Sequence, residues 1–437
     1  MAISSFLRTQ YGLSENPFPG NATYGEDTQR VYVPEMFGDQ RWEFLRKFIL
    51  APLENGQPLI GAVWSVVPGD PAARGFGKST LMGEEAKIVN RDFGYQTMVN
   101  LGVSQEDARK NPILASYVSF NVKAQGGIAN IDAAAFHLTR FMLRSEHERG
   151  VSVHQCLREL AAAGLVAEGK AAEGEEGDKI VEAVRQRFRQ LSVPLDIRNL
   201  LDDYLYHLAS TDSAALEQFL VDDVSTWHHD RNGLKYLQIF VAFAELAGIK
   251  HFTFFVDQVE DFTARPASAV KLQKNVKIIR DALLETEPFA SLASFVFQFH
   301  PDAYERLRDA WLHEDLRSLE WDDPLNVPYV VVLKGLDTFD SARLLAERCL
   351  NHESFVVSRP GGGIGPFTDS SLRKVWEATK PRPRWFLRVL HDLLQLGNAD
   401  RKDVLDDAYV EPKLERLSTG ARRAEPVGGE GEDERLV

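Results

Sequence analysis

The residues best suited to chemistry form a short glycine-rich stretch followed by a lysine and two hydroxyl side chains. They are Gly75, Phe76, Gly77, Lys78, Ser79 and Thr80. The apolar run 60–67 precedes them and predicts a buried strand, and a helix is predicted from Lys78 onward. Where a strand, a glycine turn and a helix follow one another, backbone N–H groups and the helix N-terminus can hold phosphates. The Lys78 ammonium would then reach the β- and γ-phosphates and the Ser79 hydroxyl would bind Mg²⁺, so the spacing predicts a phosphate-binding loop.

One position of this loop departs from the usual spacing. Such loops carry a glycine five residues before the glycine that precedes the lysine, and here that residue is Ala72. Either Ala72 is tolerated at that place, or the loop is longer and turns at Gly69. The alternative for the whole stretch is an ordinary Gly/Pro turn in front of a helix.

A second candidate site lies at the end of the clearest strand pattern in the chain. The apolar run 251–256 is followed directly by Asp257, which is typical of a central parallel strand with a carboxylate at its C-terminal edge. In a phosphate-loop enzyme such a carboxylate holds Mg²⁺ through water, so Asp257 joins Ser79 as a predicted metal-side residue. The alternative is an Asp that only caps the strand.

The residues that follow Asp257 decide what chemistry the site could support. Gln258 stands where many hydrolytic proteins of this kind have a glutamate that polarises water, and Glu260 lies two positions further on. Glutamine can orient water but cannot accept a proton. Strand alternation would place both side chains on the same side, so Gln258 and Glu260 both stay candidates. At the end of the next strand pattern, residues 298–300 could sense the γ-phosphate or could merely cap the strand.

Length and composition limit the class of protein. The chain has 437 residues, of which 44% are hydrophobic and 26% charged, as in globular proteins. Its net charge of −14 argues against a broadly basic nucleic-acid-binding surface but not against a local basic patch. Two cysteines, Cys156 and Cys349, are too few for a disulfide framework or a zinc knuckle. Without a signal-peptide pattern or a membrane-spanning apolar stretch, the sequence predicts a cytoplasmic protein with no membrane partner.

The order of strand and helix patterns predicts an α/β protein whose core is interrupted by helices. The predicted segments are an N-terminal arm (1–30), the first part of the core (31–130), a helical insertion (131–248), the second part of the core (249–335), a set of short helices (336–399) and an acidic tail expected to be disordered (400–437).

Four local patterns resemble motifs of the AAA+ and STAND-type ATPases, including the origin-recognition and transposition ATPases. Residues 37–43 look like the box that borders the adenine, and residues 75–80 look like Walker A. Residues 254–262 are similar to the Walker B motif of some STAND ATPases, and 366–387 look like the family's helical lid. The resemblance covers residues 31–397. KAP-type ATPases, which also carry helical insertions between their Walker motifs, are near neighbours.

This resemblance implies a P-loop NTPase sandwich of the ASCE type, with a large helical insertion and a C-terminal helical lid. It implies ATP and Mg²⁺ as ligands, with Gln258 or Glu260 serving the attacking water. It also implies that Arg384 reaches down from the lid to the γ-phosphate, with Arg382 as the competing choice. An arginine from the helix or loop around residues 306–317 could act on the nucleotide of a neighbouring subunit, or these arginines could be ordinary surface charges.

The functional hypothesis is an ATP-driven switch that hydrolyses ATP slowly. On this hypothesis the protein forms a homo-oligomer when ATP binds and acts on a protein or nucleic-acid partner, as in DNA transactions or phage defence. Ala72 and Gln258, which depart from the family pattern, keep an alternative open. The alternative is a nucleotide-bound scaffold or adaptor that does not turn ATP over.

Overall fold

The computed structural model describes residues 3–20, 31–67, 70, 73–120, 131–172, 174–188, 195–221, 226–259, 269–358 and 362–423. The chain forms two compact units, which are described separately. The sheet unit consists of Trp42–Ala72 and Leu81–Val332. The loop–lid unit consists of Met1–Arg41, Ala73–Thr80 and Leu333–Val437.

The regular elements alternate between strands and helices along most of the chain. The strands are β1 (Ile60–Ser65), β2 (Ile113–Ser119), β3 (His251–Asp257), β4 (Ala293–Phe299) and β5 (Val330–Leu333). In chain order the helices are α1 (Ile3–Gln10), α2 (Asp39–Leu45), α3 (Ala51–Asn55), α4 (Lys78–Arg91), α5 (Tyr95–Asn100), α6 (Gln105–Lys110), α7 (Ile131–Arg144), α8 (Val153–Ala167), α9 (Glu176–Phe188), α10 (Leu195–Ala209), α11 (Ser213–Val221), α12 (Thr226–Leu246), α13 (Ala269–Leu284), α14 (Phe289–Leu292), α15 (Pro301–His313), α16 (Phe339–Leu350), α17 (Asp369–Thr379), α18 (Pro383–Ala399) and α19 (Asp407–Arg423). A π-helical turn, Arg46–Leu50, joins α2 to α3, and 3₁₀ turns lie at Pro34–Phe37 and Pro324–Tyr329.

The sheet unit is built on a five-stranded parallel sheet in the order β2-β3-β4-β1-β5. All seven residues of β3 and all seven of β4 are buried. Their continuous apolar runs therefore follow from their central positions, since helices cover both faces of a parallel sheet. The predicted α/β class is confirmed, and strands lie where the sequence predicts them at 60–67, at 251–256 and before residues 298–300. The arrangement is compatible with a phosphate-loop fold.

The predicted helical insertion, 131–248, shares its hydrophobic core with the sheet. Helix α7 packs directly on β2, where the Ser116 hydroxyl donates to the Leu138 carbonyl over 2.7 Å. Helices α7 and α12 pack on each other, and their apolar residues share one hydrophobic core with the strands. Two neighbouring parallel strands such as β2 and β3 need a crossover connection, and α7 and α12 belong to it. The helices from α8 to α11 extend this crossover and pack on α12 and on one another.

In the loop–lid unit, the predicted tail is partly ordered. Helix α19 packs against α17 and α18, and Leu405, Tyr409 and Val410 are buried there. The prediction of disorder from residue 400 is wrong for residues 407–423. It rested on the high charge of the segment, although a few apolar residues are enough to pack the helix. Residues 424–437 lie outside the described residues.

The N-terminal arm belongs to this unit as well. Helix α1 packs on α18, and the Asn16 side-chain amide donates to the His391 carbonyl over 3.0 Å. Residues 21–30 of the predicted arm lie outside the described ranges. Within those ranges, none of the helices combines the length and the apolar character that crossing a bilayer would require.

Candidate functional site

The glycine loop has the backbone shape that its sequence requires. Gly75 and Gly77 have φ angles of 84° and 82°, in the left-handed region that glycine enters without a steric cost. Helix α4 begins at the next residue, Lys78, as predicted. Glycines in this conformation leave backbone N–H groups directed into the turn, beside the positive end of the α4 dipole. The local geometry fits an anion such as a phosphate; Ala72, the departure from the pattern, lies outside the described residues.

Lys78 occupies a position that suits an anionic ligand. Its side chain belongs to the first turn of α4, where the helix dipole disfavours a cation, and the residue is only 5% exposed. A negatively charged group at the loop would offset both the dipole and the desolvation of the ammonium. Ser79 follows in the same turn and brings an oxygen of the kind that Mg²⁺ prefers.

The predicted adenine box is in contact with the loop. A Cβ added to Gly77 would lie 3.1 Å from the ring of Phe37, and Phe37 itself is 3% exposed. The Gln40 side-chain oxygen accepts a hydrogen bond from the Lys334 backbone N–H over 2.6 Å, which ties the box to the chain that enters the lid. Within the loop–lid unit, the part of the box that belongs to it, residues 37–41, and the loop are therefore neighbours.

The start of the lid helix also reaches the loop. The Arg384 backbone N–H donates to the Gly75 carbonyl over 3.3 Å. The Leu336 N–H donates to the Pro381 carbonyl over 2.7 Å, and a Cβ on Gly335 would stand 2.1 Å from that carbonyl oxygen. The loop and the first residues of α18 are thus held close together in one unit.

The two lid arginines have different surroundings. The Arg382 guanidinium lies 4.0 Å from the centre of the Trp385 ring and 5.8 Å from that of Phe76, and Arg382 is 3% exposed. This packing gives Arg382 a structural task, in line with cation–π pairing. Arg384 is half-buried, its backbone N–H bonded to the loop, and its role at the γ-phosphate stays a prediction.

In the sheet unit, Asp257 ends β3 at the carboxyl edge of the sheet, as predicted. Asp257 is fully buried. One of its carboxylate oxygens accepts a hydrogen bond from the Tyr117 hydroxyl (2.7 Å), and the other accepts one from the Gln258 N–H (2.8 Å). Its carbonyl accepts from the Phe120 N–H over 3.0 Å. Part of the capping alternative therefore holds, because Asp257 also organises the end of β2.

Tyr117 is a site residue that the sequence prediction missed. It lies on β2, which runs parallel to β3 with Ser119 opposite Asp257. Only this register brings the Tyr117 hydroxyl to the carboxylate. A tyrosine near the end of an apolar strand was the available signal, but nothing in the sequence pairs positions 117 and 257.

Gln258 does not continue the strand. Its φ is 55°, a left-handed conformation that costs a non-glycine residue on the order of 1–3 kcal/mol. β3 ends at Asp257, so the strand alternation used for the prediction does not extend to Gln258. Glu260 lies outside the described residues, and its role as a base stays a prediction.

The remaining predicted sensors have structural partners. His300 is the N-cap of α15, where its Nδ1 accepts from the Ala303 N–H over 3.3 Å; the alternative had expected a cap on the strand. Arg306 pairs with Asp302 at 2.6 Å, and the Arg317 guanidinium stacks 3.9 Å from the Tyr329 ring centre. Gln298 is buried in β4, opposite Val63 of β1.

The chain was compared with protein-family models and with curated proteins. No protein-family model matches the chain, and no curated protein is detectably similar to it in sequence. Among the residues that the structure describes, no group of three or more His, Cys, Asp or Glu side chains is arranged to hold a metal ion.

Proposed function

We propose that this chain is a nucleotide-binding switch protein whose loop 75–80 holds the β- and γ-phosphates of ATP with Mg²⁺. The observation that carries the proposal is the pair of left-handed glycines placed directly before the first turn of α4. A turn that only reversed the chain would not need a lysine buried at a helix N-terminus.

The chain's own residues divide the work of binding. Backbone N–H groups of the loop donate to the phosphate oxygens, and the Lys78 ammonium balances their charge. Ser79 supplies a hydroxyl oxygen for Mg²⁺. The resemblance to Walker B implies Asp257, in the sheet unit, as the carboxylate that holds the ion through water, and that role stays a prediction. The bound ion would neutralise charge on the phosphates. Tyr117 positions the Asp257 carboxylate by donating to one of its oxygens.

The hydrogen bond from Arg384 to Gly75 supports a switch. A ligand that reshapes the loop must also act on the start of α18, because the two are bonded through the Gly75 carbonyl. A nucleotide that binds one lid arrangement more tightly shifts the protein toward that arrangement. We infer that this shift controls homo-oligomer formation and access for a protein or nucleic-acid partner.

The same residues favour slow turnover. Gln258 cannot accept a proton, and its backbone is left-handed directly after the end of β3. Hydrolysis would then depend on Glu260, or be absent. A second candidate function, a nucleotide-bound scaffold that does not hydrolyse ATP, rests on this observation.

Binding of a fluorescent ATP analogue with Mg²⁺ tests the proposal. Lys78→Ala should weaken binding about 10- to 100-fold, because one charge-assisted contact to the phosphates is lost. Lys110→Ala, which removes an exposed lysine paired with Glu106 on α6, should leave it unchanged. Equal affinity in the Lys78→Ala and native proteins would refute the loop as the nucleotide site.

Phosphate release separates the switch from the scaffold. A switch should release phosphate at a rate that falls in Lys78→Ala, Asp257→Asn and Glu260→Gln. If ATP binds tightly but no phosphate release depends on Lys78, the non-hydrolysing scaffold is the function that agrees with the data. Mass measurements with and without ATP would show whether assembly follows the nucleotide.

A further inference from the structure

The sheet unit contains a polar cavity that includes Tyr117, the partner of Asp257, and none of the residues of the loop 75–80. It has a volume of about 470 Å³ and lies among α4, α7 and the end of β2. This size falls in the range of roughly 300–1,000 Å³ that is usual for small-molecule sites. All of its lining residues belong to the sheet unit.

Positive charge dominates the lining. Lys87 and Arg91 are one turn apart on α4, and Arg140 and Arg144 are one turn apart on α7. Glu146 is the carboxylate among the lining residues, and Lys87 also pairs with Glu84 at 2.8 Å. In a chain with a net charge of −14, a concentration of four cations around one concave surface is a local reversal of sign.

The walls of the cavity are held in place by a buried asparagine. The Asn90 side-chain amide donates to the Ala115 carbonyl over 2.8 Å and to the Ser145 hydroxyl over 2.9 Å. Its carbonyl oxygen accepts from the Ala115 N–H over 2.9 Å. Asn90 thus joins α4, β2 and the end of α7, so the cationic pairs keep their positions before any ligand arrives.

Polar groups complete the lining. Tyr117 and Ser119 bring hydroxyls from β2, and His137 lies on the same face of α7 as Arg140 and Arg144. Burial, reinforced by the charge of Arg140, lowers the pKa of His137 to about 4, which keeps the imidazole neutral at physiological pH. A neutral imidazole can donate or accept a hydrogen bond beside the charged groups.

We propose that this cavity, the basic pocket, binds a small ligand with more than one phosphate group. Two cations spaced by one helical turn, about 6 Å, on each of two helices can engage separate phosphates. A concave pocket of bounded size and the acidic surface of the whole chain favour a small molecule over a long nucleic-acid strand. This pocket is distinct from the loop 75–80 and does not depend on the function proposed for it.

Calorimetric titration with inorganic pyrophosphate and tripolyphosphate tests the proposal. The full chain carrying Lys78→Ala is the parent, so that the glycine loop contributes little to binding. Adding Arg140→Gln and Arg144→Gln should weaken binding by about tenfold or more, since charge-assisted contacts to phosphate are lost. A matched double variant on α15, Arg306→Gln with Arg308→Gln, removes two exposed arginines of the same unit and should change affinity less than about twofold.

Two further measurements separate a loss of phosphate binding from a loss of folding. Arg144→Gln alone, at an exposed position, should still weaken binding and leave thermal unfolding unchanged. The nuclear magnetic resonance signal of His137 should report a raised pKa when tripolyphosphate is bound, because a nearby anion favours the imidazolium. The proposal is overturned if the parent binds neither phosphate compound, or if the Arg140/Arg144 double variant binds both as well as the parent does. It is also overturned if only a 20-nucleotide single strand binds through these arginines, since that result would assign the surface to nucleic acid.

Discussion

At the scale of single residues, the candidate site depends on backbone conformations as much as on side chains. Gly75 and Gly77 adopt left-handed angles that their sequence allows at no cost, whereas Gln258 adopts one at a cost. Strain of this kind persists only where surrounding contacts hold it, and here the Gln258 N–H is fixed by the Asp257 carboxylate. The loop and the residue after β3 thus both contain left-handed backbone conformations.

Replacing Gly77 with alanine should damage the loop–lid unit and its ligand binding. The new Cβ would force a left-handed alanine, which costs about 1–2 kcal/mol, and would stand 3.1 Å from the Phe37 ring. We expect a lower free energy of unfolding in urea and weaker binding of the ATP analogue. Gly420→Ala is the matched control, because Gly420 lies in α19 of the same unit and its Cβ would meet nothing within 4 Å. That control should be neutral or stabilising by up to about 1 kcal/mol, and a Gly77→Ala protein as stable as the control would contradict the assigned backbone strain.

At the scale of elements, β3 carries a buried polar residue at each of its ends. It begins at His251 and ends at Asp257, and both are buried. The His251 Nε2 lies 2.9 Å from the Ser294 hydroxyl of β4, while Asp257 pairs with Tyr117 of β2. The strand is therefore anchored to its two neighbours at opposite ends, through side chains as well as the ladder.

The buried His251 should make stability depend on pH. Burial lowers the pKa of His251 to about 4, below the usual 6.5, so the folded state binds its proton less readily than the unfolded chain does. Above pH 6.5 the neutral His251 does not reduce the free energy of unfolding. As the pH falls from 6.5 toward 4, the free energy of unfolding decreases by about 3 kcal/mol in all, because the unfolded chain binds the proton more readily. Urea unfolding at several pH values measures this loss.

His251→Gln should flatten that part of the pH profile, since glutamine does not titrate. His313→Gln, at a side chain that is 67% exposed, is the matched control and should leave the profile unchanged. An identical pH dependence in the His251→Gln and native proteins would show that other groups cause it.

At the scale of the whole molecule, each compact unit carries one cysteine. Cys156 lies in α8 of the sheet unit, and Cys349 lies in α16 of the loop–lid unit; both are buried. Burial raises the pKa of the Cys349 thiol to about 12 and also raises that of Cys156. Because the thiolate is the reactive form, both should resist thiol reagents until their own unit opens.

ATP with Mg²⁺ should therefore slow the labelling of Cys349. A ligand at 100 times its Kd stabilises the state that binds it by about 2.7 kcal/mol, which slows labelling from the opened unit about 100-fold. The measurement uses Cys156→Ala, so that Cys349 is the single thiol, and Lys78→Ala should abolish the protection. Protection that persists undiminished in Lys78→Ala would place the nucleotide elsewhere. The reciprocal protein, Cys349→Ala, shows whether the sheet unit is stabilised as well.

The sequence by itself determined the features that depend on neighbours in the chain. The glycines before Lys78, the buried run before Asp257 and the start of α4 at Lys78 each express a local steric or hydrophobic preference, and the sequence predicts each at its place. The helix 407–423 was not predicted from composition, because its charged residues outnumber its few buried apolar residues, such as Tyr409 and Val410.

Only the tertiary structure decided which distant residues meet. The pairing of Tyr117 with Asp257 depends on strand register, and the basic pocket depends on α4 and α7 being joined through Asn90. The same packing places α7 and α12 in one hydrophobic core with the strands. Contacts of this kind join residues that are far apart in the chain, so no local spacing or propensity encodes them; they follow from burying one continuous apolar core.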